Sequence, residues 1–91
     1  MDKTYYVYIL ECEDGSFYTG ISTNPEKRLK EHQGLKSGAK YTKAHKPIGI
    51  VYLETQVDRS AASKREYEIK QMTKAQKIEL VQSYKKSASK P

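Results

Sequence analysis

The polar residues of this 91-residue chain that could share a chemical task recur at spacings that bring them onto common faces. Tyr6 and Tyr8, then Tyr18 and Gly20, alternate along two short segments rich in β-branched and aromatic residues, so each pair shares one side of its strand. Arg28 and His32 stand four apart in a stretch that reads as helix, where side chains at that spacing lie one above the other. Further on, Ala62, Glu66, Ile69 and Met72 form a stripe of helical period that turns the Glu66 carboxylate inward. Phenols, a guanidinium, an imidazole and an inward carboxylate are groups that grip an anion, move a proton or hold a cation. Each also has a plain structural reading. A tyrosine face serves equally as a packing surface whose hydroxyls need partners. Lys70, one turn after Glu66, can neutralise that carboxylate in an ordinary salt bridge.

These residues need elements to position them. Residues 4–11 (TYYVYILE) read as a strand, Asp14-Gly15 as a turn, and residues 16–22 as a second strand, together a hairpin. A two-residue loop would put Val7 and Ile9 on one face with Ser16, Tyr18 and Gly20. A three-residue loop over residues 13–15, with Gly15 left-handed, groups them with Phe17, Thr19 and Ile21 instead. The second register makes one coherent apolar face and is preferred. It leaves Tyr6, Tyr8, Leu10, Tyr18 and Gly20 together on the other. Thr23 or Asn24 caps a helix that opens on Pro25 and runs to about Gln33, stopping at Gly34. Residues 34–47 form a basic loop and 48–55 a third strand. Asp58 or Ser60 caps a second helix ending near Met72, and Thr73 with Gln76 forms a capping box for a third, reaching about Lys85. The expected order is β-β-α-β-α-α, an α/β (α+β) fold in one domain over residues 1–91, with an ordered core over about 4–85 and a frayed tail at 86–91.

Composition narrows the partners. The formal charge is +6, and residues 27–46 hold Lys27, Arg28, Lys30, Lys36, Lys40, Lys43 and Lys46 against Glu31 alone. Such a block attracts a phosphate backbone, or it is simply a solubilising surface. Within it Tyr41 can stack on a base, join the site or anchor the loop, and His45 is a phosphate or solvent contact. A membrane partner is not expected, because the block lacks a continuous apolar face and no run approaches the roughly 18 apolar residues that span a bilayer. The single cysteine, Cys12, is expected to be packed or partly exposed, and suits a reducing cytoplasm. Tyr52 and Tyr67 are expected to pack, and Glu68 to be solvated.

Tyr6-Val7-Tyr8, followed ten residues after Tyr8 by Tyr18-Thr19-Gly20, resembles the paired signature of the GIY-YIG nuclease superfamily. The resemblance continues through Arg28 and His32 on the next helix and Glu66 on the one after. It covers most of the chain and extends to small stand-alone bacterial members of the UPF0213 type, through the segments AKYTKAHKP and REYEIKQMTKAQK. Tyr6-Val7 stands where the name motif has Gly-Ile, and Ile21 where some relatives have lysine. Asn24 is the only asparagine, so the late asparagine of many full-length nucleases has no counterpart.

The resemblance implies a metal-dependent endonuclease that hydrolyses phosphodiester bonds, acting on DNA. Its implied cofactor is one Mg2+ (or Mn2+) held by Glu66. Arg28 would brace the scissile phosphate and Tyr8 would position water or phosphate. Tyr18 would deprotonate the attacking water, directly or through His32. Tyr6, Gly20, Lys36, Lys40, Tyr41, Lys43 and Lys46 are the expected substrate-binding residues. The alternative is a non-catalytic, basic nucleic-acid-binding module of the same fold, and a third reading is an adaptor for an acidic protein. A monomer is the default expectation.

Overall fold

In the computed structural model, which describes residues 4–34 and 46–88, the first two segments pair as the apolar pattern requires. Strand β1 (Tyr5–Cys12) lies antiparallel to β2 (Phe17–Ser22), with Val7 opposite Ile21, Tyr8 opposite Gly20 and Ile9 opposite Thr19. The connection is the three-residue one. The Cys12 N–H donates to the Ser16 carbonyl at 2.9 Å, and Gly15 adopts φ +83°, a left-handed conformation that costs glycine little. The side-chain oxygen of Asp14 fastens the turn by accepting from the N–H and hydroxyl of Ser16.

Strand β3 (Pro47–Gln56) adds to the other edge of β1, giving the antiparallel order β2-β1-β3. Its register slips twice. Ile9 faces Tyr52 but Leu10 faces Ile50, leaving Val51 extra; Glu11 faces Gly49 but Cys12 faces Pro47, leaving Ile48 extra. Each slip is a bulge that re-aims the strand. Val51 and Tyr52 can therefore both pack against the core, while Ile50 and Leu53 pair beside Leu10 and Tyr8.

Helix α1 (Pro25–Gly34) starts where Asn24 Oδ1 accepts the Lys27 N–H at 3.2 Å. Helix α2 (Arg59–Lys70) is capped by Asp58, whose side chain accepts the Ala61 N–H at 2.8 Å. Helix α3 (Lys74–Ala88) opens with a reciprocal capping box: the Thr73 N–H donates to Gln76 Oε1 at 2.9 Å and the Gln76 N–H to Thr73 Oγ1 at 3.2 Å. This helix continues past the expected end at Lys85 into the segment expected to fray.

Val7, Ile9 and Tyr52 from the sheet meet Ala62 and Ile69 from α2 and Val81 from α3 in the main core. Phe17, Ile21, Met72, Leu80 and Tyr84 pack around them. Helix α1 has little apolar surface to bury. Against the sheet it buries Pro25 and half-buries Arg28 and Leu29.

Candidate active site

Tyr8 is the centre of the arrangement. Its side chain is 1% exposed, lying over the backbone of Gly20 on the paired strand. A Cβ at Gly20 would sit 2.6 Å from the Tyr8 hydroxyl oxygen and 2.7 Å from its ring carbon, so only glycine admits the phenol there. The Tyr18 ring stands 6.5 Å from that of Tyr8, tilted by 43°.

From α1, the Arg28 guanidinium acts on the Tyr8 phenol and favours its ionised form. It is steadied by Glu31, whose carboxylate accepts from Arg28 at 2.9 Å. From α2, the charge of Glu66 acts on the same phenol. Burial, then Tyr18 and Glu66, push the Tyr8 pKa above its ordinary value of 10.0; Arg28 opposes this without cancelling it. The group at the centre is thus a neutral phenol able to donate a hydrogen bond, with a fixed cation and an anion close by.

Glu66 is 24% exposed on its side chain and continues the inward stripe of Ala62 and Ile69, as its spacing suggests. The ordinary reading of this residue is present too. Lys70 Nζ lies 3.3 Å from Glu66 Oε2, on a side chain that is 49% exposed and free to swing into water. Helix α1 carries His32 one turn beyond Arg28, but its side chain lies outside the described ones. Of the expected substrate contacts, Gly20 is under the phenol and Tyr6 is half-buried on the same side of β1. Lys46 is exposed at the start of β3, its carbonyl accepting the Glu13 N–H. Lys36, Lys40, Tyr41, Lys43 and His45 fall outside the described residues.

A match to the family model of the GIY-YIG catalytic domain spans residues 4–79, which takes in every residue of this constellation. The chain belongs to the GIY-YIG family. It is 48% identical to a UPF0213 protein of Desulfotalea psychrophila over 93% of this chain and 77% of that one. It is 49% identical to one of Staphylococcus epidermidis, over 90% and 98%. Two solution NMR structures share 40% of its sequence. The UPF0213 protein of Bacillus halodurans superposes with a TM-score of 0.55 over 87% of this chain and 83% of that one. A protein of E. faecalis does so with 0.61, over 92% and 91%. The GIY-YIG fold is a nuclease-type fold, and nucleases built on it generally depend on a divalent metal. No helix among the described residues is long and apolar enough to cross a membrane.

The donor chemistry around Tyr8 suits one such ion type. The described residues contain no cluster of three or more His, Cys, Asp or Glu side chains that would enclose a metal. What they offer is one carboxylate whose charge reaches a phenol, a hard and sparse donor set. Mg2+ and Mn2+ accept that, because such ions keep several waters and take phosphate oxygens as further ligands.

One sequence expectation needs correction, and one feature was missed. Tyr67 does not pack: it is 67% exposed on the outer side of α2. Helix α3 runs to Ala88, past the expected end near Lys85, and residues 89–91 of the expected tail lie outside the described residues. The missed feature is a polar knot beside the core, where Glu54 accepts from the Tyr52 hydroxyl at 2.5 Å, from the Gln56 amide, and from Arg65 Nε at 3.0 and 3.1 Å. Arg65 also reaches Glu68, itself 64% exposed. Burial would raise the Glu54 pKa, but the bonds from Tyr52, Arg65 and Gln56 outweigh it and hold the carboxyl below its ordinary range. Glu54 alternates with Tyr52 on β3, and that position on a core-facing strand was the available signal. Cys12 is buried, as expected.

Proposed function

We propose that this protein is a metal-dependent endonuclease that hydrolyses phosphodiester bonds in DNA, working in the bacterial cytoplasm. The observation that carries the reading is the buried Tyr8 phenol, which stands near the Tyr18 ring and feels the charges of both Arg28 and Glu66. A structural tyrosine needs one hydrogen-bond partner. This one has a second phenol ring 6.5 Å away and lies within reach of a cation and a carboxylate charge.

Arg28 binds the scissile phosphate through charge-assisted hydrogen bonds and offsets the charge that develops as the bond breaks. Its bond to Glu31 holds the guanidinium in place without burying it. Tyr8, kept neutral by burial, donates its proton in a hydrogen bond to a water or phosphate oxygen and orients it. Water oxygen attacks phosphorus, the bond from phosphorus to the leaving sugar oxygen breaks, the proton of the water passes to His32 or to Tyr18 as its phenolate, and the leaving oxygen takes a proton from solvent. An imidazole is the better base of the two at neutral pH. Glu66 is the residue that would hold the divalent ion, which when bound neutralises phosphate charge and acidifies water. Tyr6, Gly20, Lys36, Lys40, Tyr41, Lys43 and Lys46 contact the substrate, the lysines through its backbone phosphates. With backbone contacts dominating, DNA shape rather than base order directs binding.

The test is incubation of the protein with single-stranded, nicked and branched DNA in Mg2+ or Mn2+, with a chelator control. Products that depend on the metal and vanish in Arg28→Ala support the reading; intact DNA under every condition contradicts it. The Lys70 ammonium beside Glu66 favours one alternative, a basic nucleic-acid-binding module in which that carboxylate is permanently neutralised. Salt-sensitive binding without cleavage in any metal would establish it.

A further inference from the structure

A cavity of 410 Å3 opens beside the site, between the start of α1 and the sheet. Tyr6, Tyr84, Ile50, Leu53, Asn24 and Glu26 are on its wall. Its volume falls within the range of small-molecule sites. Its lining distinguishes between the parts of a nucleotide. Among the described lining residues none is cationic and Glu26 is acidic, so a phosphate finds repulsion there instead of a partner. Two phenol rings and two branched aliphatic side chains are instead the surface on which the face of a base settles. Asn24 uses its Oδ1 on the Lys27 N–H, and its amide nitrogen adds a donor suited to a base edge.

Placement agrees with chemistry. Tyr6 precedes Tyr8 by two residues on the same side of β1, about 7 Å along the strand. Pro25 lies nearly one helical turn before Arg28. The cavity is therefore offset from the Tyr8–Arg28 pair by a distance comparable to one sugar-phosphate repeat of an unstacked strand. We infer that it receives one unstacked nucleobase of a single strand, the neighbour of the phosphate held at Tyr8 and Arg28. The inference rests on the nucleic-acid reading above and adds a substrate preference to it. A base inside a duplex must leave its stack to enter, so single-stranded, frayed or branched DNA is favoured over intact duplex.

The experiment compares two probes in chelator, where no metal-dependent cleavage occurs. They are a short single-stranded DNA and an abasic oligomer of equal length and charge, each titrated into wild type, Tyr6→Leu and Tyr84→Leu. Wild type should bind the base-bearing strand about five- to a hundred-fold more tightly than the abasic one. Tyr6→Leu should remove most of that difference, weakening the base-bearing strand far more than the abasic one. Tyr84 packs edge-on against Tyr52 at 5.6 Å, so Tyr84→Leu can cost folding; thermal melts check it, and Tyr6→Leu decides alone if it fails. Equal affinity for the two oligomers, or equal loss of both in Tyr6→Leu, overturns the base site. Base-dependent binding with no cleavage once metal is added contradicts the nuclease reading and leaves the base site standing. Cleavage without base dependence does the reverse. No binding of either oligomer overturns both.

Discussion

At the scale of single residues, Gly20 matters because it has no side chain, and Tyr8 because of what lies in the space that leaves. The Gly20→Ala methyl would meet the Tyr8 hydroxyl at 2.6 Å, and the buried ring has little room to retreat. We expect that variant to lose about 1–3 kcal/mol of stability by overpacking. Its cleavage should fall at least as far as that of Tyr8→Phe, measured at a temperature where both are folded. The elevated Tyr8 pKa carries a sign of its own. A phenol that holds its proton more tightly when folded supports the fold fully below the unfolded value near 10 and loses that support as pH rises through the folded one. Alkaline unfolding followed by circular dichroism should therefore be shallower in Tyr8→Phe than in wild type. An identical alkaline limb would mean that the phenol is not the buried neutral group described.

At the scale of elements, the position of Glu66 depends on where α2 is pinned. Arg65, its neighbour in sequence, ties that helix to Glu54 on β3 through two short contacts. Because the Glu54 carboxyl sits below its ordinary pKa, its contribution is present above the unfolded value of 4.5 and is lost as pH falls through the lower folded one. Glu54→Gln should cost about 2–3 kcal/mol in urea unfolding at neutral pH, since half-buried Arg65 loses its nearer anion and keeps only the exposed Glu68. The difference from wild type should shrink in acid. Thr73→Ala, which breaks the capping box of α3, should cost about 1 kcal/mol.

The same scale shows what the sequence made legible. The hairpin register followed from Val7, Ile9, Phe17, Thr19 and Ile21 sharing a period of two, because the alternative would have split the apolar set between faces. The caps at Asn24, Asp58 and Thr73 were readable as residue types before apolar runs. Strand β3 was not, because simple alternation puts Ile50 and Tyr52 on one face. The extra residue at Val51 separates them, and with Ile50 redirected the cavity beside Tyr6 could not have been foreseen. At the site, the spacing of Tyr8, Tyr18, Arg28 and Glu66 was readable. The partners that hold them, Glu31 on Arg28 and the Glu54 knot on Arg65, depend on packing between elements that no local pattern encodes.

At the scale of the whole molecule, the +6 charge governs encounter with the substrate. Binding to single-stranded DNA should weaken with salt, the logarithm of affinity falling by about 0.7 for each phosphate contacted per unit of log salt. Replacing Lys36, Lys40 and Lys43 together by Gln should flatten that slope and weaken binding to all DNA sequences alike. An unchanged slope would remove the basic segment from the interface.

The central claim is that Glu66, whose charge reaches the Tyr8 phenol, holds the metal ion of a hydrolytic site. Its most direct test is the single-turnover cleavage rate of saturating DNA, measured against Mg2+ concentration for wild type and Glu66→Gln. The substitution keeps the shape of the side chain and removes its charge. The account predicts a saturable dependence on Mg2+ in wild type, and in Glu66→Gln a rate lower by about a hundred-fold or more with DNA affinity retained. Equal rates and equal metal dependence in the two proteins would contradict it.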